Sequence, residues 1–570
     1  MTFLSQRLKF LLVLLGHFKL CFSNDDPQVC ISSGCIRGST IETNFDNRKV
    51  CSFRGIFYAE VLERFTDAVP KQSFDGVFDA TQDGPVCVQK DSIKFGDDFG
   101  VTGEENCLTI NVYTPACPQA TNPPSNNSLP VFVLFHFGSW VVGSNREAIY
   151  GPEFLLNRDV VLAVPNYRLD AIGFLNTGDN VTIGNYGFRD QVLALQWVQD
   201  NIAAFGGDPK RVTLIGESSG GSAATLHLMS PLSKGLFAYV IAMSGSALSP
   251  LSFTERPVAA NATQRLAELV GCPVCSSEDL TACMRNIPAE TLILAQVNLT
   301  SDRFPPFVQL SFLPTLDYDY LANPTFPFDP RIADMTEPIP LITGSITNDG
   351  LYYLAALYNI PGFEKLTYQY SKYFLARLMD LGHLFPMYAI PTVMDRVYSR
   401  YFQDQPLSRD LQSSLIQMFT DYDFFITTAV PALRHAKIGA PTWYYVYDYD
   451  TGVSFNDLLF DPSIRNTLDD PGHLDNLLTL FPMPEYFPNR TYSDAEIEFI
   501  RNRVDLWVTF AATGNPTTGN NNIQWDQVGS IDNCFVLILD SAFRLDNKYR
   551  RDALLFWLGL LEDDSGLQIL

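Results

Sequence analysis

The sequence predicts an α/β protein with a large, mostly parallel central sheet, helices on both of its faces and inserted helical cover segments. Three observations carry this. Short apolar, β-branched runs alternate with helix-length amphipathic segments along the chain. Several of the runs, such as Leu129–Phe135 and Val160–Val164, are apolar throughout, the pattern of strands buried on both faces. Arg211–Ser230 then packs strand, tight turn and helix into one stretch: RVTLI, GESSG, and small and apolar residues at helical spacing.

Taken from its start, the chain opens on Arg7 and Lys9, an apolar run Phe10–Gly16, and Cys21-Phe22-Ser23 before the acidic Asn24-Asp25-Asp26. This is the pattern of a secretory signal peptide over residues 1–23, cut after Ser23. The apolar run is too short to span a membrane, and no later stretch reads as a span; the C-terminal LLFWLGLLEDDSGLQIL is broken by acids. Eleven cysteines, less Cys21 in the leader, leave an even number for disulfides in an oxidising compartment. Cys272-Pro273-Val274-Cys275 has no second pair at zinc-site spacing. Glycosylation sequons begin at Asn126, Asn180, Asn261, Asn298 and Asn489. The expectation is a secreted glycoprotein.

The chain of 570 residues is 46% hydrophobic with a formal net charge of −24, which disfavours nucleic acid and anionic membrane surfaces as partners. The composition carries no signal for an oligomeric state. No repeat or linker divides residues 24–570, which are read as one domain.

The elements follow in order. Residues 24–60 read as short strands and turns, and 61–106 as surface loops. Strands are expected at Leu108–Tyr113, Leu129–Phe135 and Val160–Val164. Asp190–Phe205 is an amphipathic helix with Val192, Leu195, Val198, Ile202 and Phe205 on one side, stopped by Gly206-Gly207-Asp208-Pro209. Tyr239–Met243, Ile339–Ile342, Trp443–Asp448 and Cys534–Leu539 are the later strands. Residues 250–330 and 350–440 are more helical and read as insertions that cover a site at the sheet's end.

Gly216-Glu217-Ser218-Ser219-Gly220 is G-x-S-x-G. A five-residue pattern of this kind also occurs by chance in ordinary loops. Between a strand and a helix it forms a nucleophile elbow, which thrusts Ser218 into the open at the positive end of a helix. On α/β-hydrolases the partners follow in the order acid, then histidine. Four histidines come after the elbow. His227 lies on the elbow's own helix, His383 in an apolar run of core character, and His435 in the helix-like PALRHAK as a surface residue. His473 lies in the Pro-Gly loop DPGHLD, where a base at a sheet end belongs. Asp349 follows a strand, but Asp349-Gly350 also reads as a turn, and the residues alone leave it level with several other aspartates. Loss of activity on acidification is expected near the ordinary histidine pKa of about 6.5.

Longer motifs carry a family resemblance: GNYGFRDQVLALQWVQDNIAAFGGDPKRVTLIGESSGG (Gly184–Gly221), EENCLTINVYTP (Glu104–Pro115), MSGSAL (Met243–Leu248), GHLDNLLTLF (Gly472–Phe481) and FAATGNP (Phe510–Pro516). From Ile36 to Trp557 the chain resembles the type-B carboxylesterases of the cholinesterase-like group, most of all the secreted arthropod esterases. The resemblance implies the α/β-hydrolase fold and hydrolysis of small or hydrophobic carboxylic esters, with no metal or organic cofactor. It assigns Ser218 as nucleophile, His473 as base and Asp349 as acid, where the family usually has Glu. It implies disulfides Cys87–Cys107 and Cys272–Cys283, and an oxyanion hole of the Gly138, Ser139 and Ser219 amides.

Three departures from the family pattern matter. The usual H-G-G-G-F is here His136-Phe137-Gly138-Ser139-Trp140. Ser139 can serve as glycine does if its φ is negative, with the strain gathered at Gly138 and the Phe137 ring turned away into the packing. The loop between Cys87 and Cys107 lacks the tryptophan that holds a quaternary ammonium in cholinesterases, which disfavours choline esters. Juvenile hormone esterases usually carry G-Q-S-A-G, whereas this chain has Glu217 and Ser219. The competing readings are a weak or inactive binding or adhesion protein of the same group and a juvenile-hormone-type esterase. Retention of all three candidate catalytic residues favours the enzyme.

Overall fold

An eleven-stranded sheet runs through the computed structural model of the chain. The structure describes residues 26–90, 100–118, 128–301, 311–317, 321, 324–333, 335, 337–358, 362, 365, 368–460, 471–517, 523–533 and 536–565. Residues 1–23, expected to be a leader, and Asn126 and Cys534 lie outside the described residues.

In chain order the sheet strands are β1 (Ser39–Glu42), β2 (Lys49–Phe57), β3 (Thr109–Thr114), β4 (Leu129–Phe135), β5 (Val161–Pro165), β6 (Gly207–Glu217), β7 (Tyr239–Met243), β8 (Leu341–Ile346), β9 (Thr442–Tyr447), β10 (Val536–Leu539) and β11 (Arg544–Asp546). They lie side by side as β11-β10-β9-β8-β7-β6-β4-β5-β3-β2-β1. Every pairing from β5 to β10 is parallel. The pairings outside that block are antiparallel. This is the mostly parallel sheet expected from the alternating runs.

Both faces are buried because successive side chains of a strand point to opposite sides. Val131, Val133 and Phe135 of β4 join one hydrophobic cluster, and Phe132 and Leu134 join another. The helix after β5, Tyr186–Asn201 (α1), starts four residues before the expected position and passes into a 3₁₀ turn at Ile202–Phe205. Gly206, at φ 86°, ends it as expected. Arg168 and Asp190 of this region form a fully buried pair, with Nε and Nη2 each 2.7 Å from a carboxylate oxygen. The cover segments carry helices at Arg256–Leu269, Ser277–Asn286 and Ala289–Ser301, and again at Leu351–Tyr358, Tyr368–Leu378, Ile390–Phe402, Gln412–Phe419 and Thr427–Lys437. Among the described residues no helix is long and apolar enough to cross a membrane.

Cys87–Cys107 and Cys272–Cys283 are disulfide-bonded, the pairs that the resemblance implies. Cys30–Cys35 and Cys51–Cys117 are two more. Cys275 is free and exposed, so the C-x-x-C is not itself a bridge. One expectation is corrected here. His435 is not on the surface: its helix, Thr427–Lys437, packs under the approach to β8, and His435 Nε2 lies 2.7 Å from the Ile339 carbonyl.

Candidate active site

The site forms where β6, β7 and β8 end. Between β6 and the helix Ser219–Met229 (α2), Ser218 takes φ 58° and ψ −123°, a conformation costly for a residue with a side chain. It is held there by packing. A Cβ on Gly216 would lie 2.2 Å from the Gly220 carbonyl oxygen, and one on Gly220 would lie 2.1 Å from that of Phe135. A third glycine, to which sequence reasoning gave no role, is as tight: a Cβ on Gly245 would sit 1.9 Å from the Ser218 carbonyl oxygen. The Ser218 amide donates to the Met243 carbonyl at 2.9 Å, tying the turn to β7.

Two loops bring the other residues to Ser218. Asn348, after β8, bridges to Gly472 of the Pro-Gly loop. His473 is then 3% exposed, with Nδ1 2.8 Å from Asp349 Oδ1 and Nε2 3.0 Å from Ser218 Oγ. With the carboxylate accepting from Nδ1–H, Nε2 is left to accept the serine proton. The second oxygen of Asp349 accepts from the Ile346 amide at 2.7 Å and the Ser244 hydroxyl at 2.9 Å, so Oδ1 stays aimed at the imidazole. Asp475 fixes the histidine loop by accepting from the Gly472 and Phe455 amides and the Ser454 hydroxyl. Ser244 and Asp475 were not picked out from sequence, although both lie inside the quoted motifs MSGSAL and GHLDNLLTLF.

His227 and His383 lie elsewhere. His227 stacks between Phe135 and Phe188 and bonds Ser233 and Gln191, and His383 packs on Phe253.

Glu217 is a further charged group at the site. It is buried, and neither of its oxygens has a hydrogen-bond partner among the described residues; the Leu474 amide is near without bonding geometry. Its Oε1 is 3.6 Å from His473 Nδ1. Burial pushes the Glu217 carboxyl up to about 8, opposed by the neighbouring imidazole. Burial also works against the imidazolium of His473, but the charge of Glu217 and the hydrogen bond that His473 donates to Asp349 outweigh it and hold the pKa above the ordinary value. This corrects the expectation of an unshifted histidine. Glu217 and His473 are close enough to titrate as a pair.

The loop after β4 departs from expectation at one residue. Gly138 has φ 121°, and a Cβ there would lie 1.9 Å from the Val142 carbonyl oxygen, so only glycine fits. Ser139 does not have negative φ: it sits at 55°, and Trp140 at 65°. The strain therefore falls on Ser139 and Trp140 rather than gathering at Gly138. Anchors on both sides impose it: the Trp140 indole donates to the Leu251 carbonyl at 2.9 Å, and the Phe137 ring packs edge-on against Tyr150 and Phe455, turned into the packing as expected. Among the described residues the amides of Gly138, Ser139 and Ser219 donate to no protein acceptor. Ser139, Ser218 and Ser219 line one cavity with Gly245, Leu251, Tyr353, Asp423 and Phe424. Among the described residues no cluster of His, Cys, Asp and Glu could hold a metal ion.

A serine, an imidazole and a carboxylate in one line, beside unpartnered amides, can carry out acyl transfer. The sequence pattern of the carboxylesterase family matches residues 25–557. The chain belongs to the carboxylesterase family. As a carboxylesterase it is an ester hydrolase, and its relatives in that family include insect enzymes. It is 34% identical to esterase E4 of Myzus persicae, over 90% of this chain and 91% of that protein. It is 31% identical to the juvenile hormone esterase of Tribolium castaneum, over 91% and 89%. With the carboxylic ester hydrolase of Bombus ignitus the identity is 30%, over 90% of each.

Proposed function

We propose that this carboxylesterase is a secreted serine hydrolase of small or hydrophobic carboxylic esters. The observation that supports this most directly is the unbroken line Ser218 Oγ, His473 Nε2, His473 Nδ1, Asp349 Oδ1, at 3.0 and 2.8 Å. His473 takes the proton as Ser218 attacks the ester carbonyl. The amides of Gly138, Ser139 and Ser219 receive the oxyanion. The alcohol leaves with the proton from His473, and water, deprotonated by the same imidazole, releases the acid. The leader 1–23 would be removed, leaving residues 24–570 as one esterase domain. Asn180, Asn261, Asn298 and Asn489 are exposed, as glycan acceptors must be. The test is a fluorophosphonate label mapped by peptide sequencing to Ser218, followed by turnover of a graded ester panel.

The strained loop supplies a specific observation for the binding-protein reading, and Ser139→Gly separates the two. A left-handed residue with a Cβ costs roughly 1–2 kcal/mol, so glycine should raise thermal stability by up to about that amount. With the donors being backbone amides, kcat for a short aryl ester should change by less than about tenfold, under about 1.4 kcal/mol. A rise of about a hundredfold would mean the natural loop has lost a donor, which is worth about 10²–10³ in rate, and would favour the binding protein.

Glu217→Gln tests the coupling to His473. The working base is the neutral imidazole, so activity falls as pH drops through its pKa. Glu217 helps hold that pKa up. Removing its charge lets burial act with less opposition, and the acid limb of kcat/KM should move to lower pH. An unmoved limb, or one moved upward, would show that Glu217 exerts no such field.

A further inference from the structure

One wall of the catalytic cavity comes from a π-helical turn, Thr420–Ile426, between Gln412–Phe419 and Thr427–Lys437. Such turns insert a residue into a helix and recur at functional sites. Phe424 of this turn packs against the His473 ring at 4.8 Å and edge-on to Tyr353 at 6.0 Å. Asp423 precedes it and lines the same cavity as Ser218, Ser139 and Gly245.

Asp423 has no evident task in the protein itself. It is 2% exposed, and neither carboxyl oxygen has a hydrogen-bond partner among the described residues. It caps no helix and joins no ion pair among them. The groups that act on it are Asp380, Tyr353 and Tyr422, with no lysine or arginine. Burial and the charge of Asp380 push its pKa well above the usual range; the Tyr353 hydroxyl lowers it somewhat without reaching bonding geometry. Burial favours the neutral acid, which offers one O–H donor and one carbonyl acceptor beside Leu251, Tyr353, Phe424 and the serines that share the cavity wall. Buried polar atoms left without partners are costly, and turning the carboxyl toward the cavity that Asp423 lines would give them one. A hydroxyl matches both functions at once.

We propose that Asp423 is a specificity-determining residue: its carboxyl hydrogen-bonds a hydroxyl on the part of the ester that fills this cavity, so that the enzyme selects hydroxy-substituted esters over their hydrocarbon counterparts. This rests on Ser218 being the nucleophile of an esterase.

The test uses pairs in which hydroxyl replaces methyl. These are 4-nitrophenyl 3-hydroxybutyrate against 3-methylbutyrate, 4-nitrophenyl 6-hydroxyhexanoate against heptanoate, and, for the alcohol side, 3-hydroxypropyl acetate against butyl acetate. Each kcat/KM ratio is divided by the ratio of the two alkaline hydrolysis rates. At least one pair should favour the hydroxy ester by about tenfold or more, since a site built to bond a hydroxyl rejects the analogue lacking it. That preference should fall to within about threefold in Asp423→Leu and persist in Asp423→Asn, which keeps a donor and an acceptor. Wild-type ratios near unity in every pair overturn the proposal without needing either variant. So does a preference that survives Asp423→Leu. A wild-type enzyme that hydrolyses no ester and takes no fluorophosphonate label fails differently: it overturns the nucleophile reading, and this inference with it.

Discussion

Ser218→Ala should lose ester turnover by on the order of 10⁶-fold in kcat, and with it all labelling by fluorophosphonate. The serine oxygen is the atom that bonds the acyl carbon, and nothing nearby replaces it. Ser219, its neighbour, has its hydroxyl buried without a partner and does not reach the imidazole. Ser244 is committed to Asp349 at 2.9 Å. Folding should survive, because alanine accepts the backbone of the turn no worse than serine does, and the turn is fixed by Gly216, Gly220 and Gly245. Residual hydrolysis about 10³–10⁴ above water is expected from the oxyanion donors and binding. A mutant that labels at full stoichiometry, with the label on another residue, would sink the assignment.

His473→Ala should be about as damaging, because without a base the serine hydroxyl stays protonated. Asp349→Asn should cost less, about 10⁴-fold. The amide can present its NH₂ to Nδ1, which favours the tautomer with its proton on Nε2, where a base must be free. The two bonds that orient Asp349, from Ile346 and Ser244, both go to Oδ2, so the mutant should keep the loop in place while spoiling the imidazole. Steady-state kcat on a 4-nitrophenyl ester, with circular dichroism to verify folding, measures both. Turnover at the wild-type level in His473→Ala would mean that the relay is misassigned. His227→Ala and His383→Ala, away from the cavity, serve as controls for stability rather than rate.

How far sequence reached depended on how local the determinants were. The elbow was legible because strand, glycines and helix lie in one stretch of chain, each with its own signal. The sheet was legible for the same reason: β4 and β7 occur at the residues expected from their apolar runs. Asp349 could not be separated from other aspartates on its own residues. Its place beside His473 arises from a backbone bridge between loops 124 residues apart, which no local pattern encodes. The φ of Ser139 depends on where Trp140 and Phe137 are anchored, by Leu251 on one side and Phe455 on the other. His435 reads as a surface residue because its helix has polar neighbours, yet the chain entering β8 covers it. The π turn is hidden because an inserted residue breaks the 3.6-residue periodicity on which helix reading relies.

The bridge between Asn348 and Gly472 has a consequence for how such an enzyme can change. Serine, acid and base all hang from the ends of sheet strands or from loops sewn to one another, whereas Asp423 and Phe424 belong to the inserted cover. Bond-breaking capacity and choice of cargo are thus written on different parts of the chain. A graft that exchanges the segment around Thr420–Ile426 for that of a relative should bring in that relative's appetite while leaving the recipient's turnover machinery in register, so new diets can arise by replacing a lid rather than by rebuilding an engine.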